Sequence, residues 1–137
     1  MQLDLNDPKQ AHVDERLRQE LIAWFTSVRP DGRPHSVPVW FVWDGTTVTM
    51  FSKPKNQKIV NISQNANVVL ALDNTNAGND PIAFEGTAAL VPDTGLEHAQ
   101  AYLDKYSGLI QQFGWTPASM AADYSQAIRI TLTKRLG

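Results

Sequence analysis

The sequence predicts an α+β protein, mainly β with helices, in which six antiparallel strands close into a small barrel over a single domain, residues 1–137. Six segments carry the alternating apolar side chains or the β-branched and aromatic residues that strands prefer. Two Asp-Gly pairs supply the positive φ angles of tight hairpin turns. The helical segments do not alternate with the strands, as parallel βαβ units require. A barrel of about six strands is too narrow to enclose a large ligand, so a flat ligand would lie outside it.

The composition argues against several classes of protein. Hydrophobic residues make up 42% and charged residues 19% of the 137 residues, which is typical of one globular domain. The formal net charge of −2 argues against a dedicated nucleic-acid-binding protein. The absence of cysteine excludes disulfides and thiolate metal sites. No apolar run or leader-like segment predicts a membrane or secreted protein, so we expect a cytoplasmic protein without a membrane or nucleic-acid partner.

Strands are predicted where apolar side chains alternate or occupy both faces of a segment. Asp31-Gly32 and Asp44-Gly45 mark hairpin turns on either side of the second strand. Pro38 lies in the middle of that strand and cannot donate a ladder hydrogen bond, which indicates an edge, a bulge or a gap that faces a ligand. The six predicted strands span residues 28–32, 35–43, 46–52, 68–73, 81–91 and 128–133.

Helices are predicted where apolar residues recur at steps of three and four. The first predicted helix runs from Val13 to Phe25 and starts near Asp14, and a short second helix covers Lys55 to Gln64. A long amphipathic helix follows the fifth strand, from Leu96 to Phe113. Thr116-Pro117 has the order of an N-cap followed by proline at the first helical position, which predicts one more short helix before the last strand.

The segment from Ser52 to Lys58 carries the clearest chemical signal in the chain. It gathers three lysines at the start of the predicted second helix, where the helix dipole already favours anions and disfavours cations. A bound phosphate would reverse that disadvantage, and the Ser52 hydroxyl adds a donor at the end of the preceding strand. The segment therefore fits either a phosphate cradle without a glycine-rich loop or a solvated basic turn.

Two tryptophans lie on opposite faces of the second predicted strand. Trp43 continues the apolar set that includes Val39 and Phe41, which predicts a core residue. Trp40 points the other way, so its side chain fits either core packing or the wall of an external pocket for a flat ring system.

The sequence shows no catalytic nucleophile with a base, and no pair of acidic residues suited to acid–base catalysis. His12, His35 and His98 lie in three different predicted elements without metal-ligand spacing, so no metal site is expected. Glu85 is a lone strand carboxylate, a residue type that is usually solvated or paired. Any reactive group must therefore come from a bound cofactor, for which the protein supplies binding, orientation and electrostatics.

Four segments in order resemble the pyridoxamine 5′-phosphate oxidase-like flavin and deazaflavin oxidoreductases, the split-barrel superfamily. The resemblance extends from about Leu17 to Arg135, and it is strongest to the small proteins of the coenzyme F(420)-dependent subgroup. It implies the FMN-binding split-barrel type of fold. The segments that carry the resemblance are Val28–His35, Val37–Phe41 with Trp43–Gly45, Lys58 with Asn61-Ile62, and Glu85–Ala88.

The resemblance implies a homodimer with two equivalent cofactor sites at the subunit interface, each lined by both chains. By position, Lys58 and Lys55 would meet the cofactor phosphate with help from Ser52. Asn61 would steady the same helical turn. The resemblance places three further residues beside the ring system: Val39, Trp40 and Phe51. The arginine and histidine pattern of true pyridoxamine phosphate oxidases is missing, so vitamin B6 oxidation is not expected.

Three functions remain open at this point. The first is hydride transfer between coenzyme F(420) and a small unsaturated or conjugated organic substrate. The second is an FMN-dependent oxidase or reductase of the same fold, because one phosphate site serves either cofactor. The third is a non-catalytic module that stores a flavin or carries haem, with His35 or His98 as an axial ligand. The absence of an acid–base pair supports this third function.

Overall fold

The structure is a computed structural model that describes residues 1–92 and 99–137. Within these residues the chain forms seven strands and four helices. In chain order they are α1 Pro8–Gln19, β1 Ala23–Val28, β2 Pro34–Val39, β3 Val42–Trp43, β4 Val48–Ser52, α2 Gln57–Gln64, β5 Asn67–Leu72, β6 Ala83–Val91, α3 Gln100–Gln112, α4 Pro117–Asp123 and β7 Gln126–Leu136.

The strands form one antiparallel sheet in the order β2-β1-β5-β6-β7-β4-β3. Strands β2 and β3 are the two edges of this sheet, yet only Trp40 and Phe41 join them. A flat sheet of this size would hold its edges roughly 29 Å apart, whereas three residue steps reach at most about 11 Å. The sheet must therefore curl until its edges meet, and the predicted antiparallel split barrel with helices is confirmed.

The prediction of six strands is wrong by one within the described residues, because the predicted strand 35–43 is broken at Trp40. The backbone of Phe41 leaves the ladder and bonds to a side chain instead. Its N–H donates to the hydroxyl oxygen of Tyr106 at 2.9 Å, and its carbonyl oxygen lies 3.0 Å from the same hydroxyl. Pro38, which has no N–H, favours the break by weakening this edge of the sheet.

The predicted first helix has the wrong bounds at both ends. Helix α1 begins after Asp7, whose carboxylate accepts a hydrogen bond from the backbone N–H of Lys9, and it ends before Glu20. Trp24 and Phe25, which extend the helical spacing in the sequence, lie instead on β1. That strand pairs with β2 on one side and β5 on the other, and this non-local pairing outweighs the local helical pattern.

Most of the other local predictions are confirmed. Gly32 and Gly45 have φ angles of +90° and +94° in the two hairpin turns. Thr116 and Ser119 form a reciprocal capping box at the start of α4. Helix α2 begins later than predicted, so Lys58 is the one lysine of the basic segment that lies inside it. The predicted start of the long helix at Leu96 falls outside the described residues.

The described hydrophobic core has two parts. The barrel interior holds residues from the inner faces of the strands, and Trp43 is buried there as predicted. The second cluster lies outside the barrel, where α3 and α4 pack against β4. None of the helices in residues 1–92 and 99–137 has the length and apolar character needed to cross a membrane.

Candidate functional site

A pocket of about 340 Å³ lies at the junction between the barrel and helices α3 and α4. Its volume is within the range of small-molecule sites in proteins. The barrel side is lined by Ile22, Pro38, Val39, Trp40 and Phe51, with Lys58 of α2. The helical side is lined by Tyr102, Phe113, Trp115, Met120 and Tyr124. Lys58 is the one charged side chain among these lining residues.

Trp40 is fixed by the helix behind it. Its ring stacks on Tyr106 with centroids 4.3 Å apart and planes 2° from parallel. The hydroxyl of Tyr106 is held at the Phe41 backbone and at the carbonyl oxygen of Leu21, 2.7 Å away. Burial raises the pKa of Tyr106, so its hydroxyl stays protonated. Trp115 faces Trp40 at 6.0 Å between centroids, which gives the pocket two aromatic walls.

Lys58 supplies the positive charge in the lining of this aromatic pocket. It lies in the first turn of α2, directly after the N-cap Asn56 and Gln57. Its side chain is half-buried, and burial lowers the pKa of its ammonium group. No described carboxylate forms an ion pair with it within 4.0 Å. Burial removes water that stabilises the ammonium group, and an anion bound here would replace that stabilisation. The anion would also face the positive N-terminus of the helix.

The sequence profile of one family matches residues 10–136, nearly the whole chain, and its description is pyridoxamine 5′-phosphate oxidase. The chain belongs to this family. Members of the pyridoxamine 5′-phosphate oxidase-like family are generally flavin-binding oxidoreductases. No curated protein sequence matches the chain at a significant level.

Solved structures share the pyridoxamine 5′-phosphate oxidase-like fold at low sequence identity. An F(420) reductase has a TM-score of 0.68 and 23% identity over 90% of this chain and 93% of its own. A conserved hypothetical protein from Mycobacterium tuberculosis has a TM-score of 0.70 and 21% identity over 97% and 84%. HupZ from Group A Streptococcus has a TM-score of 0.64 and 16% identity over 91% and 90%. These likenesses establish the fold.

The site residues predicted from the sequence fall into three groups. Val39, Trp40, Phe51 and Lys58 all line the pocket. Lys55 is exposed in the turn before α2 and is not among the lining residues. The third group, Ser52 and Asn61, is fully buried behind the pocket.

The two buried polar residues hold the frame of the site. The Ser52 hydroxyl donates to the carbonyl oxygen of Lys53 at 2.9 Å, so its proton is directed to the backbone. Asn61 accepts a hydrogen bond from the Gln57 side chain at 2.8 Å and donates to Ser27 Oγ at 2.9 Å. Asn61 thereby connects the first turn of α2 to strand β1.

Sequence reasoning missed the wall that α3 and α4 build. The sequence pattern alone predicts ordinary apolar positions of amphipathic helices at Tyr102, Met120 and Tyr124. A clearer signal is the Phe113-Gly114-Trp115 turn, where Phe113 is 51% and Trp115 46% exposed. Two large exposed aromatic side chains beside a glycine with a φ angle of +73° indicate a surface that meets a ligand or partner. In the described residues, no group of three or more His, Asp or Glu side chains could hold a metal ion.

Proposed function

We propose that this chain is an oxidoreductase that binds coenzyme F(420), a phosphate-bearing deazaflavin, and transfers hydride to a small unsaturated or conjugated organic substrate. The observation that carries the proposal is the pocket itself, which is lined by aromatic side chains and one cation. A flat ring system joined to a phosphate has the matching distribution of apolar surface and charge. The F(420) reductase of similar fold adds support from outside the chain.

The residues present fit such a cofactor. Lys58 and the first turn of α2 would hold the phosphate, and Val39, Trp40 and Phe51 would lie along the ring. When bound, the cofactor supplies the hydride chemistry that the side chains of this protein lack. The stacked pair of Trp40 and Tyr106 keeps one wall rigid, and the surrounding aromatic side chains would cover a bound ring.

The helical side of the pocket favours an uncharged, conjugated substrate. Phe113, Trp115 and Met120 present apolar surface without a titratable group. Tyr102 is buried, and its burial raises the pKa of the phenol, so the hydroxyl stays neutral. A charged substrate would lose its hydration against these four side chains, none of which offers an ionic partner.

The proposed enzyme works as a homodimer with a cofactor site at the interface. The outer face of β1 and β2 carries Trp24, which is 40% exposed and lies directly across from Pro38. Pro38 also lines the pocket, so this apolar face is continuous with the site. A second copy seated on the face would cover Trp24 and add residues to the open side of the pocket.

The family membership favours FMN as the second candidate cofactor. Flavin binding is general among pyridoxamine 5′-phosphate oxidase-like proteins, and the same lysine and aromatic walls suit the FMN phosphate and ring. The two cofactors are therefore compared in one experiment.

Lys58→Ala tests the cofactor and the location of its phosphate. We expect fluorescence-quench titration to show binding of F(420) that the substitution weakens at least about tenfold, because a charge-assisted hydrogen bond is lost. Lys9→Ala removes an exposed lysine of α1 and serves as the control that should leave affinity unchanged. Tighter binding of FMN, equally dependent on Lys58, would assign the second cofactor. Failure to bind either, or equal affinity in Lys58→Ala, would contradict the proposal.

A further inference from the structure

The β1–β2 hairpin and helix α2 bring His35 and Lys58 to one side of the barrel. The strand register places His35 opposite Ser27, so their side chains share a face of the sheet. Ser27 Oγ accepts a hydrogen bond from Asn61 Nδ2 of α2 at 2.9 Å. Asn61 lies three residues after Lys58, and residues at that spacing share a face of a helix. The helical face that carries Lys58 is thus packed against the strand pair that carries His35.

His35 has a buried ring nitrogen that nothing in the described residues satisfies. Its Nδ1 is shielded from solvent and has no hydrogen-bond partner. The residue as a whole is only partly buried, so part of its side chain borders solvent, and a rotation of the side chain can bring Nδ1 to a ligand. Buried polar atoms are nearly always paired in folded proteins, and an exception calls for a ligand or water at that place.

The charges around His35 all have the same sign. Burial lowers the pKa of its imidazole, and the charges of Arg29 and Lys58 lower it further. Arg29 lies in the hairpin turn and Lys58 on α2, so they approach His35 from two different elements. The carboxylate of this hairpin, Asp31, is bonded to Arg33 at 2.8 Å and also interacts with the charge of Arg29. The cluster therefore holds two cations and a histidine with an unpaired nitrogen, and no carboxylate acts on that histidine.

We propose that Arg29, His35 and Lys58 form one binding site for a tetrahedral oxyanion, the phosphoryl group of the cofactor, and that His35 takes up a proton from solvent when this anion binds. The identity of the cofactor rests on the proposed function, whereas the anion site stands on this cluster alone. Protonated His35 donates from Nδ1 to the anion, which pairs the buried nitrogen and offsets the repulsion among the three cations.

Proton uptake makes anion affinity depend on pH. The bound oxyanion stabilises the imidazolium and raises the pKa of His35 above its value in the free protein. Affinity therefore increases as pH falls through the pKa of the complex, by up to about tenfold per pH unit, and levels off below the pKa of the free protein. Sulfate is a suitable probe, because its charge stays constant over the pH range in which histidine titrates.

NMR titration of the histidine ring protons tests this site without any cofactor. We expect sodium sulfate to raise the pKa of His35 by about one unit or more relative to sodium chloride at equal ionic strength. The signals of His12, which is exposed and bonded to Asp80 at 2.6 Å, serve as the internal reference. His35→Asn assigns the signal. Equal pKa values of His35 in the two salts would overturn the proposal.

A second measurement connects the anion site to the cofactor. FMN and riboflavin differ only in the phosphate, so the ratio of their affinities isolates its contribution. At about pH 6 we expect this ratio to fall about tenfold in His35→Asn and in Arg29→Gln, and to stay constant in the control Lys9→Gln. An unchanged ratio in His35→Asn would overturn the inference and leave the proposed function standing. Sulfate binding at His35 without binding of either cofactor would uphold the anion site and refute the proposed function.

Discussion

Lys105 and Tyr106 together hold the backbone of a single residue, Phe41. Lys105 Nζ donates to the Phe41 oxygen at 2.9 Å and lies 3.8 Å from the centre of the Phe41 ring. Tyr106 binds the N–H of the same residue. Side chains of α3 therefore hold the break between β2 and β3. Trp40 is positioned in the pocket because both the N–H and the carbonyl group of the next residue, Phe41, are hydrogen-bonded.

The partly buried amine of Lys105 should affect the pH dependence of stability. Burial lowers its pKa from 10.5 to about 8 in the folded protein. Between these values the unfolded chain binds more protons, so the free energy of unfolding should rise with pH across this window. We expect Lys105→Met to lack this rise. Above about pH 8, the free energy of unfolding of the wild type should therefore increase relative to that of the variant. Urea unfolding at several pH values measures it, and a constant difference would contradict the prediction.

Individual side chains differ in how far the sequence could predict their roles. Trp43 could be placed in the core because strand alternation assigns a residue to a face. Lys58 could be singled out because a lysine in the first turn of a helix is unfavourable without an anion. Tyr102 and Trp115 could not be assigned to the pocket. Their spacing predicts only a helix and a turn, and the surface that they meet comes from a distant part of the chain.

A bulge in the sheet fixes the pairing of the two longest strands. The register between β6 and β7 shifts between Glu85 and Gly86. At Gly86 a Cβ atom would lie 2.7 Å from the carbonyl oxygen of Thr131 and 3.0 Å from the Ile130 side chain. Only a residue without a side chain allows the two backbones to come this close.

Gly86→Ala should therefore lower the free energy of unfolding by about 1–3 kcal/mol, since backbone atoms must move to make room. Gly108 provides a matched control. It lies within α3 with no atom near its would-be Cβ, so Gly108→Ala should stabilise the protein by up to about 1 kcal/mol. Urea unfolding compares the two variants. Equal changes in the free energy of unfolding would show that the close contact at Gly86 is not important for the stability of the sheet.

Local sequence patterns predicted most elements but not every boundary. The conformation of a tight turn depends on the residues within the turn, so both hairpins could be predicted from Asp31-Gly32 and Asp44-Gly45. The end of α1 depends on pairing with partners far along the chain, because β1 bonds to β2 and to β5. The helical spacing of Trp24 and Phe25 carries no information about those partners.

At the scale of the whole molecule, the curled sheet leaves an apolar outer face beside its seam. Trp24 lies on β1 between Pro38 of β2 and Ala71 of β5. Its indole N–H donates to the Asp73 carboxylate at 2.8 Å, which restrains the orientation of the ring. In the proposed homodimer, this large exposed side chain would meet the second copy.

Trp24→Lys tests the proposed homodimer. We expect the wild type to have the mass of a dimer in light scattering and the variant that of a monomer, because a charge in an apolar interface is costly. Cofactor affinity should fall together with dimerisation. Leu5→Lys alters a residue that is 58% exposed in the N-terminal segment and should leave the mass unchanged. A monomeric wild type would contradict the dimer.

The pocket is assembled from two parts of the chain that serve separate tasks, and this division affects how the protein can diversify. Strands β2 and β4 and helix α2 carry the lysine and the barrel-side wall, while residues 102–124 carry the opposite wall and contribute no strand to the sheet. Mutations in that second stretch can reshape the surface offered to a substrate without disturbing a ladder hydrogen bond. Selection on the exposed lining residues Phe113 and Trp115 can therefore proceed largely independently of selection on the folding of the barrel, whereas Lys105 and Tyr106 are constrained because they hold Phe41.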